Sequence, residues 1–325
     1  MASVKRYGKR NGKINASRTD TDTKNQAAME YLLSYGWTTL IIAVVMLTLA
    51  VLGILSIAST PRAEPGACSV YRPYGAGNPS MASLVGTCYN ELPRYVMRSK
   101  GVGDFVFVNG SDNYTSYLNI IGKNITITAW VMANGAPYHD VVDKEDQYGM
   151  KLDYNNQPHA CAPSYYAGLC LEWDTYNEWT GTSFPIPNGN FGQWEFVAVE
   201  LSGNYKYWYA NGQLIGSQYV TSGISYVPSN FVIGAITPGY SGYGSAEWFN
   251  GSIANVQLYN TSLSPNQIKL LYDEGIGGVP VQMRGLVGWW PLNGNANDYS
   301  GNGNNGYIYN NTFTGSLRVS NYVVP

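Results

Sequence analysis

Three carboxylates lie close together in the segment Glu172-Trp-Asp174-Thr-Tyr-Asn-Glu178. Side chains alternate between the two faces of an extended strand, so residues 172, 174 and 178 would share one face. Two carboxyl groups about 5–5.5 Å apart can hydrolyse a glycosidic bond with retention, one as nucleophile and one as acid. The same residues also suit a polar strand face or a loop without catalysis. We favour the second interpretation and predict that the chain has no catalytic residues.

A second polar segment, residues 293–305, is rich in Asn and contains one acidic residue, Asp298. Calcium prefers carboxylate, amide and backbone oxygens of this kind. Asn and Asp also hydrogen-bond nearby backbone groups and thereby form turns. A single carboxylate favours turn formation, and calcium at Asp298 is the alternative. Calcium is the one cofactor that the sequence suggests.

All four cysteines lie beyond a long apolar segment near the N-terminus. An even number of cysteines in that position indicates two disulfides in an exported protein. Three pairings are open, and we favour Cys68–Cys88 with Cys161–Cys170 because each closes a local loop rich in turn residues. The alternative is four buried free thiols.

The same part of the chain contains six Asn-x-Ser/Thr sequences, which can accept N-linked glycan in exported proteins. Each such sequence is common by chance in a chain rich in Asn and Thr. Six of them together predict that several carry glycan, and Asn124 differs from the others because a predicted strand follows it directly. The acceptor residues are Asn109, Asn113, Asn124, Asn250, Asn260 and Asn310.

The composition favours β-structure as the element that positions these residues. Charged residues make up 12% of the 325 residues, whereas there are 37 Gly and 28 Tyr. Short alternating segments separated by Gly and Asn predict many strands, and Asn211-Gly212 predicts a two-residue hairpin turn. The predicted strands are Asp104–Val108, Ile125–Val131, Trp194–Glu200, Tyr205–Tyr209 and Phe231–Gly234.

One helix is predicted within this part of the chain, over residues 264–275. Ser264 is suited to the N-cap, Pro265 to the first turn and Gly275 to the C-terminal end. Many short strands with one helix indicate a mainly β sandwich or jelly roll.

Several of these segments resemble laminin-G-like, concanavalin A-like jelly rolls in their order along the chain. The resemblance covers roughly residues 101–312 and implies a lectin-like domain that binds glycan. The helix at 264–275 resembles the one that commonly follows the last strand of such domains. The segments that carry the resemblance are 125–132, 194–203, 207–216, 231–234 and 250–259.

The segment 286–306 resembles the part that usually opens such a domain, yet here it comes last. Only about 20 residues follow it, too few for a second sandwich. We therefore predict a circularly permuted sandwich over residues 101–325, which close termini would make easy to form. Residues 61–100 are predicted to be a linker or cap.

The N-terminal part of the chain is different in character. Residues 1–25 carry seven Lys and Arg against two Asp, and the remainder carries twelve basic and nineteen acidic residues. A mildly acidic main part without a basic run gives no reason to expect nucleic-acid binding. The basic segment before the apolar run predicts a cytoplasmic leader, by the positive-inside rule.

Residues 40–57 form a nearly unbroken apolar run, long enough to span about 27 Å as a helix. A continuous helix over residues 26–58 would reach about 50 Å. Proline at position 61 predicts the end of this helix. A signal-anchor helix and a cleaved secretory signal are the alternatives, although a secretory signal usually has a shorter apolar core of about 7–15 residues.

Glu30 is a lone carboxylate where the apolar helix begins, and such a charge usually has a task. The surrounding segment resembles the class III signal peptide of archaeal prepilins. The resemblance implies cleavage by prepilin peptidase between Asn25 and Gln26, although the family typically has a small residue in the place of Asn25. Glu30 would then be the fifth residue of the processed chain and would act in filament assembly.

Together these patterns predict a structural subunit of an extracellular archaeal pilus-like filament. The helix at 26–58, part of a helical unit 26–60, would pack against other copies after insertion in the cytoplasmic membrane. The sandwich would lie on the surface for adhesion or glycan binding. The alternatives are a membrane-anchored carbohydrate-binding surface protein that does not polymerise and a laminarinase-like glycoside hydrolase.

Overall fold

The computed structural model divides the chain into two compact units, residues 1–60 and 61–325. In the first unit the structure describes most of one helix, and in the second it describes most of the sandwich. The described residues are 24–26, 29–31, 33, 35–48, 64–88, 92–135, 139–154, 168–175, 182–236, 247–315 and 322.

The first unit contains the helix α1, Lys24–Thr48, which is long and apolar enough to cross a membrane. Its described side chains are exposed. The hydroxyl groups of Thr39 and Thr48 donate to backbone carbonyls one turn earlier, so they need no other partner in apolar surroundings. Residues 49–58 of the predicted helix lie outside the described residues. Residues 1–23 of the predicted leader also lie outside them.

The second unit consists of seventeen strands among the described residues and one helix, α2, Pro265–Asp273. The strands in chain order are β1 (Cys68–Tyr71), β2 (Ser83–Gly86), β3 (Tyr95–Lys100), β4 (Phe105–Val108), β5 (Asn124–Ala133), β6 (His139–Lys144), β7 (Tyr148–Tyr154), β8 (Leu169–Thr175), β9 (Thr182–Pro185), β10 (Glu195–Ser202), β11 (Tyr205–Ala210), β12 (Gln213–Tyr219), β13 (Phe231–Ile233), β14 (Asn250–Tyr259), β15 (Leu286–Trp290), β16 (Tyr307–Tyr309) and β17 (Thr312–Gly315).

Two large antiparallel sheets form the sandwich, which confirms the predicted fold class. The first sheet has the order β12-β11-β10-β5-β14-β3-β17, with β15 also paired to β14. The second sheet has the order β16-β4-β13-β6-β7-β8-β9. Large side chains fill the space between them, and the fully buried ones include Trp173, Trp208, Trp290 and Phe231. Apolar residues on alternating positions of both sheets therefore form one continuous core.

The structure confirms the predicted N-cap of the helix α2 and the predicted hairpin turn at Asn211-Gly212. Ser264 caps α2 by accepting from the backbone N–H of Gln267, and the Gln267 side chain accepts from the backbone of Ser264, which forms a capping box. Asn211 and Gly212 both have positive φ, 50° and 74°, as a two-residue hairpin turn requires.

The sandwich begins earlier than the sequence predicts. Residues 61–100 were expected to be a linker or cap, but β3 pairs with both β14 and β17 in the first sheet. Val96 and Met97 are buried there, so this strand contributes to the core. At the other end of the chain, β15 pairs with β14, which places Leu286–Trp290 inside the same sheet. Circular permutation stays a prediction.

The segment before β3 forms a small hairpin of β1 and β2, closed by the predicted disulfide between Cys68 and Cys88. Cys170 is also disulfide-bonded, whereas Cys161 lies outside the described residues. The backbone N–H of Val70 donates to the carbonyl of Tyr299, 2.8 Å away, which attaches the hairpin to the C-terminal part of the unit.

Arg72 holds the same hairpin in place from within. Its guanidinium is almost completely buried, with 8% of the residue exposed. It donates hydrogen bonds of 2.7–3.2 Å to four backbone carbonyls, those of Asn78, Met283, Leu286 and Ser300. Three of these four acceptors lie more than two hundred residues further along the chain.

Candidate functional site

The outer face of the second sheet, on the side away from the core, carries a group of charged residues. Asp140 on β6 pairs in register with Lys151 on β7, which pairs with Glu172 on β8. Residues directly opposite each other on neighbouring strands share one face of a sheet. Asp174 lies two residues beyond Glu172 and therefore on the same face, as the sequence predicts. Glu178 lies outside the described residues.

Lys151 is the centre of this group. Its Nζ lies 2.9 Å from Asp174 Oδ2, 3.6 Å from Glu247 Oε2 and 3.9 Å from Glu172 Oε1. We call Asp140, Glu172, Asp174 and Glu247 around Lys151 the carboxylate cluster. One ammonium group faces four carboxyl groups, so the cluster has a local excess of acidic groups.

This excess changes the protonation of its members. Burial raises the pKa of Glu172 from 4.5 to about 8, repulsion from Asp174 adds to the shift, and Lys151 opposes it. Burial also raises the pKa of Asp140 well above its usual range. For Lys151 burial alone would lower the pKa, but Asp174 and the other carboxylates raise it above its usual value. Lys151 therefore stays charged, and the deeply buried Glu172 retains a proton near neutral pH.

This protonation predicts a pH-dependent stability. In the unfolded chain Glu172 ionises near pH 4.5, but in the folded protein it does so near pH 8. Its folded pKa is the higher one, so the unfolded chain loses the proton first and stability falls as the pH rises between these values. Between pH 5 and pH 8 we expect the free energy of unfolding of the wild type to fall by about 1–3 kcal/mol more than that of Glu172→Gln. Denaturant unfolding at the two pH values provides the measurement.

An exposed carboxylate provides the control for this measurement. Asp273 pairs with Lys269 on the surface of α2, and its side chain is 44% exposed. Asp273→Asn should retain the pH dependence of the wild type. Equal pH dependence in the wild type and Glu172→Gln would contradict the assignment of a proton to Glu172.

The same face of the sheet also carries aromatic side chains on β4, on β16 and at Trp248, two residues before β14 begins. The ring of Phe105 stacks on that of Tyr309, with centroids 4.6 Å apart, and lies 5.6 Å from Trp248. Phe107 meets Tyr309 edge to face at 6.3 Å. Tyr309 is 47% exposed, so this group presents ring surface to solvent. We call Phe105, Phe107, Trp248 and Tyr309 the aromatic group.

A row of residues connects the two groups across the sheet. Phe107 pairs with Val232, and Val232 pairs with Asp143. Asp143 in turn pairs with Gly149, and Gly149 with Asp174. Gly149 has no side chain, and Asp143 Oδ1 lies 3.2 Å from the point that a Cβ atom there would occupy. The aromatic group and the carboxylate cluster also meet along the chain, where Glu247 precedes Trp248.

The arrangement has a clear chemical use. Aromatic rings pack against the C–H face of a sugar ring, and carboxylates accept hydrogen bonds from its hydroxyl groups. The two groups offer both kinds of contact on one sheet face. Glu172 and Asp174 lie two residues apart on β8 and both carboxyl groups face Lys151.

Sequence reasoning found Glu172 and Asp174 but missed the other members of this face. Lys151 interrupts an apolar strand, since Met150 and Leu152 on either side are fully buried. This alternation was a usable signal for a charge on the outer face. No local signal indicated that Lys151 would meet Glu247, because almost one hundred residues separate them.

Asp298 has a different environment from the carboxylate cluster. Its carboxylate accepts hydrogen bonds from the backbone N–H groups of Trp289, Ser300 and Asn304, and from the hydroxyl of Ser300, at 2.8–3.0 Å. Burial raises its pKa, and these hydrogen bonds oppose the shift. The donors surround both oxygens, as in a turn formed by Asx hydrogen bonds. A calcium ion at Asp298 would have to displace them.

The predicted glycan acceptors lie on the surface of the sandwich. Asn109, Asn113, Asn260 and Asn310 are exposed, as is Asn124, which begins β5. Asn250 at the start of β14 is half-buried, and its side-chain nitrogen donates to the carbonyl of Asn134. Glycosylation at these residues stays a prediction. In the first unit, Glu30 is exposed on α1.

Comparison with known proteins agrees with the fold. Residues 108–269 match the family model of the concanavalin A-like lectin/glucanases superfamily. No curated protein matches the chain. A protein from Bacteroides ovatus described as carbohydrate-binding superimposes with a TM-score of 0.50 and 16% identity, over 70% of this chain. The chain covers 61% of the Bacteroides protein.

Two further solved structures are similar with lower scores. A SAP-like heptameric pentraxin from Limulus polyphemus has a TM-score of 0.40 and 15% identity, covering 68% of this chain and 87% of its own. Trypanosoma rangeli sialidase has a TM-score of 0.40 and 17% identity, and the match covers 57% of this chain and 28% of the sialidase. At 16% identity the likeness to the Bacteroides protein is one of fold alone. Residues 108–269 are thus similar to the concanavalin A-like lectin/glucanases superfamily, and the sheet topology of the second unit is that of a jelly-roll sandwich.

Proposed function

We propose that the protein is a subunit of an extracellular pilus-like filament and carries a glycan-binding domain on its surface. The observation that supports this most directly is the combination of two units. A 25-residue apolar helix with one carboxylate near its start precedes a lectin-like sandwich closed by a disulfide. Disulfides form in oxidising compartments, so the sandwich belongs outside the cytoplasm.

The filament part of the proposal rests on α1. Its described side chains are apolar over most of its length and exposed, and an apolar helix needs either lipid or other helices around it. Lipid surrounds α1 before assembly, and copies of the same helix surround it in the filament. Prepilin peptidase would release residues 1–25 at the step between the two states.

The glycan part rests on the outer face of the second sheet. The aromatic group and the carboxylate cluster together offer the stacking surface and the hydrogen-bond acceptors that sugars require. The Bacteroides protein with the same fold is itself described as carbohydrate-binding.

Mass spectrometry of the native N-terminus tests the proposal. A chain that begins at Gln26, together with filaments in electron micrographs, supports a processed filament subunit. An intact Met1 without filaments would instead favour the second candidate, a membrane-anchored surface lectin that does not polymerise. That candidate rests on the same helix, which is long enough to cross a membrane.

A third candidate, a glycoside hydrolase, predicts that the carboxylate pair is essential. On our proposal, Glu172→Gln and Asp174→Asn leave filament formation unchanged, and the purified protein releases no reducing sugar from polysaccharides. Polysaccharide cleavage by the wild type that either substitution abolishes would refute the proposal that the protein is not an enzyme. Reducing-end assays against a panel of β-glucans and α-glucans provide the measurement.

A further inference from the structure

Cations are scarce around the candidate site, and this bears on the kind of glycan it can hold. The seven strands of the second sheet contain two lysines, Lys144 and Lys151, and no arginine. The same strands contain five acidic residues, namely Asp140, Asp143, Asp153, Glu172 and Asp174. Glu247 adds a sixth carboxylate beside Lys151.

Of the two lysines, only Lys151 places its charge on the outer face. Lys144 is fully buried, and its Nζ donates to the backbone carbonyls of Ser111 and Ser229. The next lysine in the sequence, Lys206, is also fully buried. Its Nζ lies 5.0 Å from the centre of the Trp173 ring. Neither ammonium group is available to a ligand on this face.

Four of the segments that adjoin these strands in the sequence also lack such a charge. The connecting segments 136–138, 155–167, 176–181 and 237–246 lie outside the described residues, but their sequences contain neither Lys nor Arg. His159 is their one ionisable basic residue. Recognition of a carboxylate or sulfate group normally uses Arg or Lys.

Instead of cations, the carboxylate cluster offers hydrogen-bond acceptors. Asp140 is 3% exposed, and its carboxyl group shares a hydrogen bond with that of Glu247. Asp174 Oδ1, in contrast, is a buried oxygen without a hydrogen-bond partner among the described residues. A buried acceptor left without a donor is unfavourable, and a ligand hydroxyl would satisfy it. The Asp174 oxygen therefore calls for a donor, and sugar hydroxyl groups are donors.

We propose that this face binds an uncharged saccharide and discriminates against glycans that carry carboxylate or sulfate groups. The inference rests on the proposed glycan binding and specifies its ligand class. The aromatic group packs on the C–H face of one sugar ring, and the carboxylate cluster accepts hydrogen bonds from hydroxyl groups of a neighbouring ring, because β4 and β8 lie four strand spacings, about 19 Å, apart. An anionic substituent on that neighbouring ring meets the carboxylates of Asp174 and Glu247, with Lys151 already engaged by both.

The experiment compares matched neutral and acidic glycans. Full-length protein in detergent micelles is first screened on an array of neutral oligosaccharides, including lactose and cello-, manno- and chito-oligosaccharides. The same array carries 3′-sialyllactose, oligoglucuronates and sulfated forms. We expect binding to at least one neutral series and at least tenfold weaker binding to its acidic counterpart in low salt, with the difference shrinking as salt screens the charges.

Variants locate the site and its charge effect. Trp248→Ala should weaken binding to the neutral ligand at least tenfold, since an aromatic platform is lost. Tyr309→Ala, at a more exposed position, tests the same group if Trp248→Ala does not fold. Tyr205→Ala removes a 46% exposed ring from the first sheet and should leave binding unchanged. Glu247→Gln should reduce the discrimination against the acidic ligand by about threefold to tenfold.

The outcomes separate the two proposals. Equal or tighter binding of the acidic member of a matched pair would overturn the charge inference and leave glycan binding intact. Binding that Trp248→Ala and Tyr309→Ala do not affect would place the site elsewhere and overturn the inference as well. An array without any bound glycan, acidic or neutral, would remove the glycan part of the proposed function, and the inference with it.

Discussion

Replacement of Glu30 by Leu is expected to abolish most filaments while the sandwich still folds and the chain still inserts in the membrane. If the chain is cleaved before Gln26 as proposed, the new amino group of Gln26 would be a positive charge at the start of an apolar helix. An unpaired charge in an apolar filament core costs several kcal/mol. On the proposed assembly, Glu30 would offset part of this cost by pairing with an amino group, its own or that of a neighbouring copy. It also lies near the positive end of the helix dipole, which favours a carboxylate by about 0.3–1 kcal/mol.

Electron microscopy of cells that express each variant provides the measurement, with filament number and length as the readout. Glu30→Asp retains the carboxylate on a shorter side chain and should keep a large part of the filaments. Glu30→Gln keeps the size but not the charge and should resemble Glu30→Leu. Normal filaments for Glu30→Leu would show that the pairing of Glu30 is unnecessary for assembly.

Substitution of Arg72 by Ala should have the largest effect on the stability of the sandwich. The change leaves four backbone carbonyls without their donor at a site where Arg72 is 8% exposed. Each buried acceptor that loses its partner costs about 1–3 kcal/mol, and water will satisfy some of them. We expect a total loss of about 3–5 kcal/mol, measured by denaturant unfolding of the full-length protein in micelles.

Arg94 is the matched control because it is an arginine in the same region with an exposed ion pair. Its Nη1 lies 2.6 Å from Glu64 Oε1, with side chains 49% and 64% exposed. Such pairs contribute about 0–1 kcal/mol, so Arg94→Ala should be nearly neutral. Arg72→Lys should fall between the two, since a lysine cannot reach all four carbonyls at once. A loss for Arg72→Ala no greater than that for Arg94→Ala would show that the buried hydrogen bonds are replaced by water.

Elements with local signals were predictable from the sequence. The helix α2 carries its own cap and proline at the start, and the hairpin at Asn211-Gly212 needs positive φ at both residues. The strand β3 was missed because it is short, stands alone among turn residues and finds its partner β14 about 150 residues later. Its membership of the sheet is decided by that distant pairing, which leaves no trace in the local sequence.

In the candidate site, too, local features were predictable from the sequence and contacts between distant strands were not. The alternation of Glu172 and Asp174 on one face follows from the period of a strand, so the sequence contained it. The charge balance of the face depends on register between strands, which brings Asp140 and Lys151 opposite Glu172. Asp298 illustrates a choice between two chemistries that composition leaves open, since only the backbone N–H groups around it show how its oxygens are used.

The hairpin of β1 and β2 has a mechanical consequence for a surface protein under tension. Force applied along the chain from the helical unit enters the sandwich at its first residues and reaches β1 early. The bond between Cys68 and Cys88 prevents the hairpin from being pulled open strand by strand. The load then passes to the hydrogen bonds of Val70 and Arg72, which reach residues near the far end of the chain and must break together. A domain built in this way would resist extension at its N-terminal end while the outer face of the second sheet stays intact.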